Sequence, residues 1–245
     1  FLRKYKPWGV ILFTRNIKNI NQAYDLTKSI RKIFNDKKYP ILIDQEGGRV
    51  NRLENIMSFE NLTSEFFGYK YVNNYKEFIF FYKLFIDKTS YLLKSIGINI
   101  NTTPVLDLRI KGTSNIIGNR SFSGDPKVVS KIGDYCIKFF RENGIGCVIK
   151  HIPGHGLAKV DSHYSTPIVN KNKRYLLRRD FVPFKNKKTY FAMTAHIIFS
   201  KIDNKNTVTH SKELIKLIRS KIGFKNIIIS DDLSMKSLKG SIKEN

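Results

Sequence analysis

The sequence predicts a parallel α/β fold of the TIM (β/α)8-barrel type, on three observations. Short apolar runs rich in β-branched residues alternate with longer, helix-like segments along the whole chain. Those runs are apolar on both faces, as the buried strands of a parallel sheet require. Polar residues collect at their C-terminal ends: Asp44, Asp107, Lys150 with His151, His196, and Asp231 with Asp232. A closed barrel brings such ends to one mouth. An open doubly wound sheet would call for a glycine-rich phosphate loop, and the sequence has no GxGxxG.

The first strand is expected at residues 8–14 (WGVILFT), after a basic stretch that lacks the small-residue cleavage site of a signal peptide. A helix at 19–34 (NINQAYDLTKSIRKIF) leads to the strand at 39–48 (YPILIDQEGG). A second helix at 75–96 precedes the strand within 97–108 (GININTTPVLDL). Asp125 then caps, and Pro126 opens, a helix that runs to Asn143. Further strands are expected at 144–151 (GIGCVIKH), 189–196 (TYFAMTAH) and 225–232 (KNIIISDD), with a helix at 210–222 before the last. That makes six strands, with no low-complexity linker and no second domain.

At 245 residues and 41% hydrophobic content, the chain can bury one large core. Cys136 and Cys147 form no CxxC pair and no disulfide framework, which favours a reducing compartment. No apolar run approaches the roughly 20 residues that span a bilayer, so no membrane partner is expected. The net charge of +24 is spread along the chain, without a basic segment interleaved with stacking aromatics. A solvated basic surface is therefore expected, with no specific nucleic-acid partner. The rival from another class is a basic, catalytically inactive barrel that binds nucleic acid or cell-wall fragments by charge.

Residues 150–167 (KHIPGHGLAKVDSHYSTP) gather three of the five histidines: His151, His155 and His163. The i, i+4 spacing of His151 and His155 would suit a zinc pair on a helix. Pro153, Gly154 and Gly156 break any such helix and no HExxH occurs, so no metal and no cofactor is expected. Asp161 and His163 flank Ser162, and a turn can bring carboxylate against imidazole, fixing its tautomer and raising its basicity. The triplet alone would suit a structural contact; the other charged strand ends at the same mouth favour an acid–base pair. In IIISDDLSM, a strand-end carboxylate can attack an anomeric carbon. Taken alone, Asp231 and Asp232 could equally cap the following helix; or each does one task, Asp231 facing the mouth and Asp232 supporting the turn. Asp44, Arg49, Arg52 and Arg120 can bond sugar hydroxyl and amide groups. Glu46 has two open readings, catalytic acid or shaper of its glycine loop. His196 has two as well, lining the mouth or serving as a satisfied structural histidine. His210 is expected to be a solvent-facing cap residue before a helix, and His155 to hold its loop in shape.

The ordered motifs DQEGGRVNRL, TPVLDL, GNRSFSGDP, KHIPGHG, DSHYSTP, MTAHIIF and SDDLSM resemble those of the β-N-acetylhexosaminidases of glycoside hydrolase family 3. The closest resemblance is to the single-domain bacterial enzymes of peptidoglycan recycling. It implies a TIM-type barrel with Asp231 as nucleophile and His163, paired with Asp161, as acid/base. It also implies that Asp44, Arg52, Arg120, Lys150 and His151 bind a terminal N-acetylglucosamine. One loop would then supply both a substrate contact, His151, and the proton shuttle, His163. The expected enzyme is a retaining exo-β-N-acetylglucosaminidase, cytoplasmic and monomeric. Its partner is a small-molecule carbohydrate, an N-acetylglucosaminyl-anhydromuropeptide. An imidazole repels an incoming anion less than a second carboxylate would, so phosphorolysis stays open beside hydrolysis. Two features depart from the family pattern. RSFSGDP carries a slightly longer turn near Arg120, and the family's first and last strands would lie outside residues 1–245. The chain is thus expected to be a single catalytic domain, truncated at both ends, with its outermost strands left unpaired.

Overall fold

The computed structural model describes residues 2–113, 115–162 and 164–238. Its strands, in chain order, are β1 (Val10–Leu12), β2 (Ile41–Ile43), β3 (Ile100–Asn101), β4 (Gly146–Ile152), β5 (Ile168–Val169), β6 (Phe191–Thr194), β7 (Ile198–Phe199) and β8 (Ile227–Ile229). Six of them form one parallel sheet in the order β1-β2-β3-β4-β6-β8, at the places expected of the six strands. β5 and β7 form a small separate parallel pair that the sequence pattern does not announce, each strand being two residues long.

The helices are α1 (Leu2–Tyr5), α2 (Ile20–Phe34), α3 (Ser64–Asn73), α4 (Tyr75–Ser95), α5 (Pro126–Glu142), α6 (Lys173–Arg178) and α7 (Lys212–Leu217). Local chemistry sets their ends. Asn19, Thr63, Asn74, Asp125, Asn172 and Ser211 each accept a first-turn backbone N–H. The Asp125–Pro126 start stands where the sequence puts it. Asn35 ends α2 in the left-handed region with φ 51. The helix expected over 210–222 is α7 followed by a wider π turn, Ile218–Ile222, which Gly223 ends at φ 84. α3 and α6 are additions to the helices expected from the sequence.

The strands alternate between two apolar surroundings. Leu42, Ile100, Val148 and Met193 pack together inside the curl of the sheet, with Phe191 and Ile229 against them. Ile41, Ile43, Cys147, Ile149 and Ala192 point the other way, into the main core shared with Ala23, Phe78, Ile86, Ile132 and Phe140 of the helices. Burial on both faces explains why these runs read as unbroken apolar stretches. The sheet bends far enough to set Trp8, just before β1, 5.4 Å from Phe191 of β6. No helix among the described residues is long and apolar enough to cross a membrane.

Candidate active site

The mouth is built first by an ion-pair cluster beyond β2 and β4. Lys150 Nζ lies 2.7 Å from both Asp44 Oδ1 and Glu46 Oε1. Arg120 donates twice to Glu46, from Nε and Nη2, each at 2.8 Å. Thr102 Oγ1 also donates to Asp44 Oδ1, leaving Oδ2 turned towards Arg52 at 4.0 Å. Burial alone would raise both carboxyls. Lys150 outweighs it at Asp44, and Arg120 with Lys150 outweighs it at Glu46, whose pKa falls far below the usual carboxylate range. The carboxylates in turn overcome the burial of Lys150 and Arg120 and raise both cations. Glu46 is therefore held ionised with both oxygens occupied. Of its two readings, catalytic acid gives way to a fixed anchor for two cations.

Gln45 shapes the loop that returns Arg52 to the mouth. Asn101 of β3 pairs with its backbone at 2.9 and 2.8 Å, and its own Oε1 accepts the N–H groups of Arg52 and Leu53. Arg49 does similar work across the mouth, since its Nη2 donates to the carbonyls of Asn115, Ile116 and Ile117 ahead of Arg120.

Neighbours on a strand normally face opposite sides. A register shift between Lys150 and Ile152 breaks that rule in β4, so Lys150 and His151 both reach the mouth. Asp107, fully buried beyond β3, fixes the orientation of the His151 ring and of the loop after it. It accepts from His151 Nδ1 at 2.6 Å, from the His151 backbone, and from the His155 backbone at 2.6 Å. These bonds outweigh its burial and lower its pKa. His151 Nε2 is thereby aimed at Asp231 Oδ2, 3.9 Å away. His155 is buried with Nε2 3.2 Å from Ser162 Oγ, and burial first, then His151, pushes its pKa down to about 4. It sits as a neutral brace within its loop.

At the end of β8, Asp231 Oδ1 accepts the Asp232 N–H at 2.8 Å, while Asp232 Oδ1 accepts the Ser234 N–H and hydroxyl at 2.8 and 2.7 Å. Asp231 faces the mouth and Asp232 holds the turn. His196 is buried and bonded at both ring nitrogens, and His210 is exposed. Ser211, not His210, caps α7. Asp44, Arg52, Arg120, Lys150, His151 and Asp231 line one cavity of 260 Å³, walled on its apolar side by Val50, Ile116 and Met193. All five expected sugar-binding residues and the expected nucleophile thus share one space. Asp161 lies half-buried in the loop after β4, and His163 falls outside the described residues. The supporting roles of Gln45, Thr102 and Asp107 are not legible in the sequence; their only signal is that each is polar at the end of an apolar run.

A model of the glycosyl hydrolase family 3 N-terminal domain matches residues 1–244. A beta-hexosaminidase of Shewanella frigidimarina is 34% identical over 236 residues, covering 93% of this chain and 67% of its own length. One of Tolumonas auensis is 34% identical over 242 residues, covering 96% and 69%. Among solved structures, NagZ from Neisseria gonorrhoeae in complex with N-trifluoroacetyl-D-glucosamine superposes with TM-score 0.86 at 30% identity, over 99% of this chain and 71% of that one. The chain spans 42% of beta-hexosaminidase A of Pseudoalteromonas piscicida and 65% of the Methylobacillus flagellatus relative.

Proposed function

The chain belongs to glycosyl hydrolase family 3, and on that premise we propose that it is a retaining exo-β-N-acetylglucosaminidase. The observation that carries the reading is the 260 Å³ cavity, in which one carboxylate, Asp231, faces a fixed set of charged groups at the scale of a single sugar ring. Asp44 accepts from sugar hydroxyls through Oδ2; Arg52, Arg120 and Lys150 supply donors, and His151, its Nδ1 proton committed to Asp107, presents Nε2. Asp231 Oδ2 attacks the anomeric carbon and forms a glycosyl ester as the glycosidic C–O bond breaks. His163 gives its proton to the departing oxygen. It then takes a proton from water, which attacks the anomeric carbon and releases Asp231. Asp161 holds the imidazole in the tautomer this needs. Glu46, held ionised by two cations, has no proton to give, which supports histidine in that part. The substrates fitting this reading are cytoplasmic peptidoglycan fragments with a terminal N-acetylglucosamine, as expected from the motifs.

Asp231→Ala should lose roughly three or more orders of magnitude in turnover of a chromogenic N-acetylglucosaminide, while still binding N-acetylglucosamine. A slow-turnover fluorinated substrate should label Asp231 in the unmutated protein, as read by peptide mass spectrometry. Labelling at Asp232, or near-normal activity of the variant, would overturn the assignment.

A further inference from the structure

Asp231 follows β8, which pairs among the described residues with β6 alone. We propose that His196 is the positioning residue that sets the Asp231 carboxylate, through a hydrogen-bonded chain from the end of β6 to the Asp232 carbonyl. This rests on the reading of Asp231 as nucleophile.

His196 is 1% exposed and lies two residues beyond β6. Its Nε2 is 3.1 Å from the Asp232 carbonyl oxygen, and its Nδ1 is 2.8 Å from Thr209 Oγ1. Thr209 Oγ1 is in turn 2.8 Å from Thr194 Oγ1 at the end of β6. A carbonyl can only accept, so Nε2 carries the proton. Burial lowers the pKa of His196 and keeps the ring neutral, which makes Nδ1 an acceptor. Thr209 must then donate to Nδ1, and its oxygen accepts from the Thr194 hydroxyl. One carbonyl fixes the direction of the whole chain.

The consequence falls on Asp231 through Asp232. Asp232 is held at its carbonyl by His196 and at its side chain by Ser234, and its N–H donates to Asp231 Oδ1 at 2.8 Å. The nucleophile's Oδ1 takes its place from the N–H of a residue thus held at its own carbonyl and side chain, and Oδ2 is left facing the cavity. His196 does not itself line the cavity, so its loss should act on the chemical step and not on sugar binding.

The test uses the full gene product that carries residues 1–245, with His196→Ala, His196→Gln and the near-isosteric Thr209→Val. His196→Ala and Thr209→Val are expected to lower kcat by roughly 10- to 100-fold, with KM within about threefold. His196→Gln keeps a side-chain N–H for the Asp232 carbonyl and should recover much of that loss. Labelling by the fluorinated substrate separates position from folding: a misplaced nucleophile labels slowly but to the same final fraction. An unchanged kcat in His196→Ala overturns the inference, as does a reduced labelled fraction at unchanged rate in both His196→Ala and Thr209→Val. An unmutated protein with no activity on any N-acetylglucosaminide overturns the function and this inference together, whereas the other two results leave the function standing.

Discussion

Glu46 and Asp231 are carboxylates of one cavity, yet their surroundings leave them unequal freedom. Both oxygens of Glu46 are spent on Arg120 and Lys150, and Asp231 keeps Oδ2 towards the cavity. Removing Glu46 would take from Arg120 the carboxylate it donates to twice and leave Lys150 with Asp44, which is why Glu46 reads as an anchor. The proposed dyad makes a different prediction. His163→Ala should slow substrates with poor leaving groups far more than activated phenyl glycosides, with Asp161→Asn a milder version of the same pattern. Equal losses on both substrate types, in parallel kcat/KM measurements, would speak against an acid role. Asp180 tests the effect of burial. It is 2% exposed, no other described residue hydrogen-bonds its carboxylate, and burial, outweighing Arg179, pushes its pKa up to about 6. An unfolded aspartate titrates near ~3.9. The folded state thus carries a penalty that is complete above pH ~6 and fades as pH falls towards ~4. Asp180→Asn should therefore raise the melting temperature at pH 8 and give no gain near pH 4. An equal shift at both pH values would show that ionisation is not the cause.

Helix α3 shows how an element far from the cavity bears on it. A Cβ on Gly68 would lie 1.6 Å from the carbonyl oxygen of Phe122, two residues beyond Arg120. The helix packs against that segment only because position 68 has no side chain. Gly68→Ala should cost about 1–3 kcal/mol by urea denaturation and raise KM, because relief of the clash displaces the chain that carries Arg120. An unchanged KM with full stability would show that the segment yields freely. This helix was illegible in the sequence for a physical reason. Its aromatic residues surround it instead of forming one stripe, and its glycine is unfavourable by propensity and retained for packing. α2, α4 and α5 were legible because each carries a capping residue and its buried apolar positions recur on one side.

Across the whole molecule, the sheet curls without closing among the described residues. β1 pairs only with β2, and β8 only with β6. A second cavity of 540 Å³ lies between these two strands, lined by Trp8, Phe13, Ile229 and Met235 and touching Asp44 and Asp231. Ile11 is 38% and Ile227 51% exposed on the same strands. An open parallel edge leaves alternate amides without a partner. Val10 and Ile227 donate inward to Pro40 and Tyr190, so the outward amides are those of Ile11 and Ile228. Their exchange should run at least about tenfold faster than in β4 and β6. Equal protection, measured by hydrogen–deuterium exchange, would mean that further chain covers these edges. If they are open, the proposed nucleophile stands beside one of them, which is where a tether such as His196 matters most.

By itself the sequence determined the six strands of the sheet, the capped helix starts and the gathering of charge at the strand ends. Each comes from short-range rules, namely apolar periodicity, a side chain that can reach its own backbone, and the geometry of a parallel sheet. The hold of Ser234 on Asp232 is equally local, two residues apart, but which of Asp231 and Asp232 faces the mouth was an even choice in the sequence and was decided by the structure. Only the tertiary structure decided that Glu46 is a clamp, that Asp107 aims His151, and that a register shift in β4 is what lets Lys150 and His151 share the mouth. Glu46 meets Arg120 across 74 residues and Lys150 meets Asp44 across 106. Whether a carboxyl at such a place is a proton donor or a permanent anion depends on which distant cations close over it, and no local pattern in a chain records that.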